Sequence, residues 1–209
     1  MLSGQKTEII LGSHSPRRRE LLGGLDIPFR SIVIDADESY PTLLNGGDIP
    51  AFISRAKAQA YLRQLKENEL LITADTIVWL PYQSNNQSET SSEEIRGVML
   101  GKPRDAEEAC SMLSMLSGRT HQVYTGVTFA HRDSMETIVD KTDVTFRTLS
   151  EEEIRYYVEH YKPLDKAGAY GVQEWIGYVG VERIEGSYFN VMGLPVERVY
   201  QYLVSKGII

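Results

Sequence analysis

The sequence predicts an α/β fold in which helices flank a mixed β-sheet. Segments with strand-like and helix-like hydrophobic patterns alternate along the chain. One segment is almost continuously apolar and rich in β-branched residues, as in a buried central strand. Two later segments show the alternation of neighbouring antiparallel strands, which indicates a sheet that is mixed rather than strictly parallel.

The amino-terminal half predicts a strand over residues 7–11, a helix over 17–23, a short strand over 32–34 and a helix over 50–67. Ser15 is expected to cap the first helix, with Pro16 at its first position. Residues 69–80 form the apolar segment and predict the central strand. Residues 83–97 are polar and low in complexity, so a surface loop inserted into a single domain is expected there.

The carboxyl-terminal half contains two capping-box patterns, which predict helices that begin near 105 and 150. Antiparallel strands are predicted over 121–130 and 137–147, and a further strand over 178–184. Pro195 is expected at the first position of a last helix, which ends near Gly207.

Composition and charge argue against several classes of function. The net charge is −7, with 29 acidic and 22 basic residues, whereas proteins that grip long nucleic acids usually present a basic surface. No apolar run approaches the roughly 20 residues needed to span a bilayer, and the first residues do not resemble a signal peptide. A single cysteine, Cys110, is consistent with the reducing cytoplasm. We therefore expect a cytoplasmic protein with no nucleic-acid polymer or membrane partner, in which a small anionic substrate requires cations gathered in one pocket.

The segment 13–19 (SHSPRRR) brings three arginines to the start of a predicted helix. Cations are unfavourable at that end of a helix by about 0.3–1 kcal/mol each, unless an anion binds there. Helix amino termini bind phosphate readily, and guanidinium groups grip its oxygens in pairs. A phosphate site and three solvated surface arginines are equally consistent with this pattern.

Asp75 interrupts the apolar central segment, in the run 73–76 (TADT). A buried carboxylate needs a cation, a metal or hydrogen-bond donors. Facing a cleft at a strand end, Asp75 would hold Mg²⁺ or accept a proton from water. Taken by itself, the pattern favours the simpler interpretation, an aspartate that ends the strand in a turn.

Further polar residues occur in small-residue surroundings: Lys57 between alanines, Lys102 in a Gly-Lys-Pro turn, and the segment 165–173 (DKAGAYGVQ). Small residues allow a ligand to approach the backbone closely, although any single lysine is more often a solvated surface charge. No P-loop, GxGxxG or HExxH motif is present. A hydrolase based on Ser13 and His14 remains open, although the chain has no GxSxG motif.

These segments resemble the Maf nucleotide pyrophosphatases. The resemblance is carried by the motifs GSHSPRR at 12–18, ADTIV at 74–78, GKP at 101–103, SGRTHQV at 117–123, DKAGAYGVQ at 165–173 and GLP at 193–195. It implies an elongated mixed sheet with two lobes and a central cleft, similar to inosine triphosphate pyrophosphatases. It also implies hydrolysis of the α–β phosphoanhydride with a divalent metal, Mg²⁺ or Mn²⁺, and a homodimer.

The resemblance implies roles for individual residues. Asp75 would activate water, Glu38 would be a second acidic group near the metal, and the triphosphate would be clamped by Ser13, Arg17, Arg18, Lys57 and Lys102. Arg17, Thr76 and Gln173 are typical of the branch acting on dTTP and UTP, and an amide can both donate to and accept from a uracil edge. A 7-methyl-GTP pyrophosphatase and a non-catalytic, nucleotide-binding regulator of cell division are the alternatives.

The chain departs from the family pattern at several positions. Gly12 replaces the usual Ala, Thr73 replaces the usual Gly, and Glu174–Trp175 follows Gln173 where Gly is common. The segment 83–97 is longer than in the family. We expect it to lie at the surface, outside the catalytic machinery.

Overall fold

A computed structural model describes residues 7–82 and 97–209, which form a seven-stranded mixed sheet with helices on both faces. The strands are β1 (Glu8–Gly12), β2 (Phe29–Ile32), β3 (Glu69–Pro81), β4 (Gly97–Leu100), β5 (Thr120–His131), β6 (Ser134–Phe146) and β7 (Val181–Glu185). The helices are α1 (Pro16–Gly23), α2 (Asp48–Tyr61), α3 (Ala106–Leu116), α4 (Glu151–Tyr161), α5 (Trp175–Gly180), α6 (Tyr188–Met192) and α7 (Val196–Ser205).

The sheet is ordered β2-β1-β3-β5-β6-β7, and β4 pairs with β3. β1 runs parallel to both β2 and β3, and the remaining pairs are antiparallel. The predicted mixed sheet is therefore confirmed. The assignment of the whole chain to one domain of two lobes stays a prediction.

One edge of β3 is left open at its centre. β1 pairs with β3 only as far as Thr73, and β4 begins to pair with it at Val78. The opposite edge of β3 is paired with β5 from Leu71 to Trp79. Residues 74–77 thus have one unpaired backbone edge, which is where a cleft forms.

Alternation along β3 separates its side chains between the two faces of the sheet. On one face, Leu70 and Ile72 belong to the apolar cluster that includes residues of α1 and α7, whereas Val78 and Leu80 belong to the cluster that includes residues of α3 and α4. On the other face, Leu71 and Ile77 pack against residues of α2. Asp75 and Thr76 lie between these clusters and on opposite faces.

Several predicted boundaries differ from the structure. The short strand predicted at 32–34 is instead β2, which covers residues 29–32. Its polar residues Arg30 and Ser31 interrupt the hydrophobic pattern by which a strand is recognised in the sequence. α2 begins at Asp48 and ends at Tyr61, and a 3-10 turn covers residues 62–64. Gly97 was expected in the polar loop but begins β4, while residues 83–96 of that loop lie outside the described part of the chain.

The predicted strand over 178–184 is only partly correct. Residues 175–180 form α5, and β7 begins at Val181. The apolar and aromatic run is too short for its period to distinguish the two structures. The structure also adds α6, and the last helix begins at Val196 with Pro195 as its cap rather than its first residue.

The capping predictions hold in full at two of four helices, α1 and α4. Ser15 accepts a hydrogen bond from the backbone of Arg18, and Ser150 with Glu153 forms a complete capping box. Asp105 caps α3, but the Glu108 carboxylate bonds to Arg104 rather than closing the box.

Candidate active site

A cavity of about 400 Å³ opens at the unpaired edge of β3. All nine residues that the sequence picked out line it: Ser13, Arg17, Arg18, Glu38, Lys57, Asp75, Thr76, Lys102 and Gln173. They come from the loop after β1, from α1, from the segment before α2, from α2 and β3, and from loops after β4 and before α5. The fold therefore gathers at one point residues that are up to 160 positions apart in the sequence, from Ser13 to Gln173.

Lys57 links the two carboxylates that were expected near a metal. Its Nζ atom lies 2.8 Å from Asp75 Oδ1 and 2.8 Å from Glu38 Oε1. The side chains of Lys57 and Asp75 are 12% and 13% exposed, whereas that of Glu38 is 49% exposed. The Lys57 ammonium therefore lies in direct contact with both carboxylates, in a part of the cavity where Asp75 is largely covered and Glu38 is exposed.

Glu38 lies in a positive field. Its partial burial acts to raise the pKa of the carboxyl group, but the hydrogen bond from Lys57 and the charges of Lys57, Lys102 and Arg18 outweigh burial. The pKa of Glu38 is consequently below its ordinary value. Lys102 Nζ is 4.0 Å from Glu38 Oε2 and its side chain is 62% exposed, so this ammonium remains at the cavity mouth.

Arg18 is held by three acceptors. Its guanidinium donates to Gly193 O at 2.7 Å, to Ala74 O at 2.8 Å and to Thr76 Oγ1 at 2.9 Å. The carbonyl of Ala74 belongs to the unpaired edge of β3, so Arg18 satisfies an acceptor that would otherwise lack a strand partner. Burial lowers the pKa of Arg18. Two of its five N–H donors remain for a ligand.

Thr76 lies within the same network on the opposite face of β3 from Asp75. Its hydroxyl is 2.9 Å from that of Thr125 on β5, which donates to Asn190 O at 3.1 Å. Asn190 is fully buried, and its amide group donates to Val123 O and to Thr142 Oγ1. A continuous set of hydrogen bonds thus fixes Thr76 relative to the sheet and to α6.

Two departures from the family pattern face each other in the sheet. Gly12 and Thr73 are register partners in the parallel pair of β1 and β3. A Cβ added at Gly12 would lie 2.5 Å from Ile34 Cδ1 and 3.0 Å from Thr73 Cγ2. The side chains of Ile34 and Thr73 therefore fill the space that an alanine at position 12 would need. The Thr73 hydroxyl donates to Ser54 O at 2.7 Å.

Sequence reasoning assigned no role to Asp165 and Lys166, although both line the cavity. Lys166 Nζ lies 2.7 Å from Asp165 Oδ1, and Asp165 Oδ2 accepts from Arg17 at 3.0 Å. Burial acts to raise the pKa of Asp165, but these two cations lower it below its ordinary value. The adjacent opposite charges at 165–166 were visible in the sequence, but their contact with Arg17 was not.

The cavity has an excess of positive charge. Five cationic side chains (Arg17, Arg18, Lys57, Lys102 and Lys166) and three acidic ones (Glu38, Asp75 and Asp165) line it. The chain as a whole carries a net charge of −7. Cations concentrated in one concave site attract a small polyanion even when the overall charge would repel it.

Within residues 7–82 and 97–209, no group of three or more His, Cys, Asp or Glu side chains is arranged to hold a metal ion by itself. None of the helices in this described part of the chain is long and apolar enough to cross a membrane.

Comparison with known proteins agrees with this geometry. The family model for Maf-like protein matches residues 8–206. The dTTP/UTP pyrophosphatase of Bacteroides thetaiotaomicron is 51% identical over 93% of this chain and 94% of its own. Those of Porphyromonas gingivalis W83 and Flavobacterium johnsoniae are 48% and 45% identical, with at least 95% of each chain covered.

A solved structure shares the fold. The Ham1 protein of Staphylococcus aureus superposes with a TM-score of 0.50, covering 96% of this chain and all of its own, at 14% identity. Extended identity to curated relatives and a family model that spans almost every residue lead to one conclusion: the chain belongs to the Maf-like protein family.

Proposed function

We propose that this protein is a nucleoside triphosphate pyrophosphatase that hydrolyses dTTP and UTP to the monophosphate and pyrophosphate. The observation that carries the proposal is the pairing of Asp75 with Lys57 in a cavity with an excess of cations. The names of relatives that are about half identical over nearly their full length support the same activity.

In the proposed reaction, water forms a bond to one phosphorus atom of the α–β anhydride as the bridging P–O bond breaks. Asp75 accepts the proton from that water, since its carboxylate lines the cavity and lies in direct contact with the Lys57 ammonium. Lys57 keeps this carboxylate in place. The departing pyrophosphate carries the negative charge that the cations must stabilise.

The triphosphate clamp would consist of Ser13, Arg17, Arg18, Lys57 and Lys102. Arg17 lies in the first turn of α1, where phosphate binding also relieves the unfavourable position of its cation. Lys102 is at the mouth of the cavity, and its exposed side chain is free to contact the phosphates of an entering substrate. Arg18 contributes its charge and its two remaining donors, while its other donors hold Thr76 and Ala74.

A divalent metal, Mg²⁺ or Mn²⁺, fits the donors that are present. Glu38 and Asp75 lie close together, on either side of the Lys57 ammonium that each contacts at 2.8 Å. Two carboxylates and the phosphate oxygens of a substrate are the hard oxygen donors that Mg²⁺ usually takes. When bound, the metal would neutralise phosphate charge and polarise the phosphoanhydride.

The pyrimidine preference is proposed to rest on Gln173 and Thr76. Both line the cavity, and the Gln173 amide offers a donor and an acceptor to the N3–H and carbonyl of uracil or thymine. A cavity of about 400 Å³ lies within the usual size range of small-molecule sites.

The first experiment is a pyrophosphate-release assay with Mg²⁺ or Mn²⁺ on dTTP, UTP, CTP, ATP, GTP and 7-methyl-GTP, with orthophosphate followed in parallel. Pyrophosphate from dTTP and UTP without orthophosphate is expected. Faster turnover of 7-methyl-GTP would overturn the base assignment. Tight dTTP binding with no turnover of any nucleotide would instead identify a nucleotide-binding regulator.

We also propose that the protein acts on free nucleotides in the cytoplasm as a homodimer. Sedimentation equilibrium over a range of concentrations tests the assembly. A single species with the 23.6 kDa mass of one chain at all concentrations would contradict the dimer.

A further inference from the structure

The turn that carries Gln173 is closed by its own backbone. Glu174 N donates to Gly171 O at 2.9 Å, so residues 171–174 form a tight turn with Gln173 at its third position. Gln173 lines the cavity, whereas Glu174 does not. The orientation of the Gln173 side chain therefore depends on the contacts that hold this turn in place.

Both oxygens of the Glu174 carboxylate are engaged. Oε2 accepts a short hydrogen bond from the hydroxyl of Tyr157, and Oε1 lies 3.1 Å from Lys166 Nζ. Tyr157 belongs to α4 and is fully buried. Its oxygen also accepts from Gly171 N at 3.0 Å, so one phenol holds both ends of the turn.

Glu174 and Lys166 pack directly over the backbone of Gly171. A Cβ added there would lie 2.8 Å from Glu174 Cδ and 3.1 Å from Lys166 Cε. The absence of a side chain at position 171 thus permits the contact between carboxylate and ammonium.

The contacts continue across the cavity wall. The side chain of Lys166 is 9% exposed, and its ammonium lies between Glu174 and Asp165. Asp165 in turn binds Arg17 of the phosphate clamp. Charges therefore alternate from Glu174 to Arg17, and removal of either carboxylate leaves a buried ammonium with one partner fewer.

We propose that Glu174 is a positioning residue that sets the base selectivity of the site. It fixes the turn that presents Gln173. It also binds the Lys166 ammonium, which contacts Asp165, and Asp165 in turn contacts Arg17. This inference rests on the proposed pyrophosphatase function and on Gln173 as the base-contacting residue. It assigns a role to the residue where the family commonly has a glycine.

The test compares Glu174→Gln and Tyr157→Phe with the matched control Tyr161→Phe, whose ring stacks on Tyr157 at 5.1 Å. For UTP and CTP, kcat and KM are measured for each variant, and Tm is recorded to detect loss of folding. In the first two variants the UTP-to-CTP ratio of kcat/KM is expected to fall roughly tenfold, about the value of one hydrogen bond. The change should lie mainly in KM, and the control should keep the wild-type ratio.

An unchanged ratio in both Glu174→Gln and Tyr157→Phe would overturn the proposal. So would an equal loss of kcat on both nucleotides accompanied by a lower Tm, since this is what a merely structural role predicts. If the wild-type protein hydrolyses no nucleotide, the proposed function fails. The positioning role is then tested by calorimetric affinities for UTP and CTP, and it fails if Glu174→Gln leaves their ratio unchanged.

Discussion

Lys57 and its two carboxylates determine the electrostatics of the site at the scale of single residues. The Lys57 ammonium lies 2.8 Å from both Asp75 and Glu38, so it holds together the carboxylate that we propose as the proton acceptor and the one that we propose as a metal ligand. Arg18 also has a structural function, because its guanidinium donates to Thr76 and to the unpaired edge of β3.

Asp75→Asn is expected to lower kcat by roughly 10²–10⁴, the usual contribution of a general base. The amide keeps the shape of the side chain but cannot accept the proton, so nucleotide affinity should be largely retained. Pyrophosphate release and calorimetric binding of dTTP measure the two quantities. Near-normal turnover would remove Asp75 from the chemistry.

Arg18→Lys is expected to lower the free energy of unfolding by about 1–3 kcal/mol and to reduce kcat/KM, because an ammonium cannot reach three acceptors that a guanidinium fork spans. Urea unfolding and steady-state kinetics provide the measurements. Arg19→Lys is the matched control, since Arg19 is exposed in the same helix and should tolerate the change. Equal stability of the two variants would contradict the bracing role of Arg18.

At the scale of elements, one carboxylate at the start of α4 accepts hydrogen bonds from several donors. Glu153 accepts from Arg147 at 2.7 Å and from the backbone of Ser150 at 2.8 Å, and it closes the capping box. The hydrogen bond from Arg147, followed by that from Ser150, lowers the pKa of Glu153 to about 2. Since α4 also provides Tyr157, this cap helps to position the helix behind the Gln173 turn.

Glu153→Gln should make the protein less stable at pH 7, and the difference from wild type should depend on pH. The pKa of Glu153 is depressed in the folded state, so its contribution is complete above its ordinary pKa of 4.5 and is lost as the pH falls towards about 2. Urea unfolding from pH 7 to pH 3 should show the two proteins converging.

Glu151→Gln is the control for this helix, because Glu151 and Arg155 form an exposed pair that contributes little. A stability difference between Glu153→Gln and wild type that stays constant from pH 7 to pH 3 would contradict the proposed ionic contribution.

At the scale of the whole molecule, the site depends on how closely α2 lies on the sheet. Gly126 of β5 is the register partner of Asp75, and the backbone of α2 passes directly over it. A Cβ at this position would lie 2.6 Å from Ala51 N and closer still to the carbonyl of Pro50. This close approach allows Lys57, two turns further along α2, to reach Asp75.

Gly126→Ala is therefore expected to lower the free energy of unfolding by about 1–3 kcal/mol through overpacking. It should also reduce kcat, because a displaced α2 moves Lys57 away from Asp75. Thermal unfolding and pyrophosphate release are the measurements, with Gly23→Ala as the control, since nothing lies within 4 Å of a Cβ added at Gly23. Wild-type turnover in Gly126→Ala would show that the spacing of α2 does not control the site.

Much of this protein is determined by its sequence alone. The apolar and alternating periods of β3, β5 and β6 predicted the core of the sheet, and the capping signals at Ser15 and Ser150 predicted the start of two helices. These features depend on neighbours within a few residues, so a linear pattern carries them. The family resemblance likewise selected nine of the residues that line the cavity.

Other features were decided only by the tertiary structure. The polarity of Asp75 indicated the end of a strand, but the residue lies in the middle of β3. It occupies the stretch where β1 no longer pairs with β3 and β4 does not yet pair with it. The edge strand β2, the short helix α5 and the contacts of Glu174 with Tyr157 and Lys166 were likewise not predictable from local patterns. Each depends on strands, turns or charges brought together from distant parts of the chain, and a hydrophobic period holds no information about such pairings.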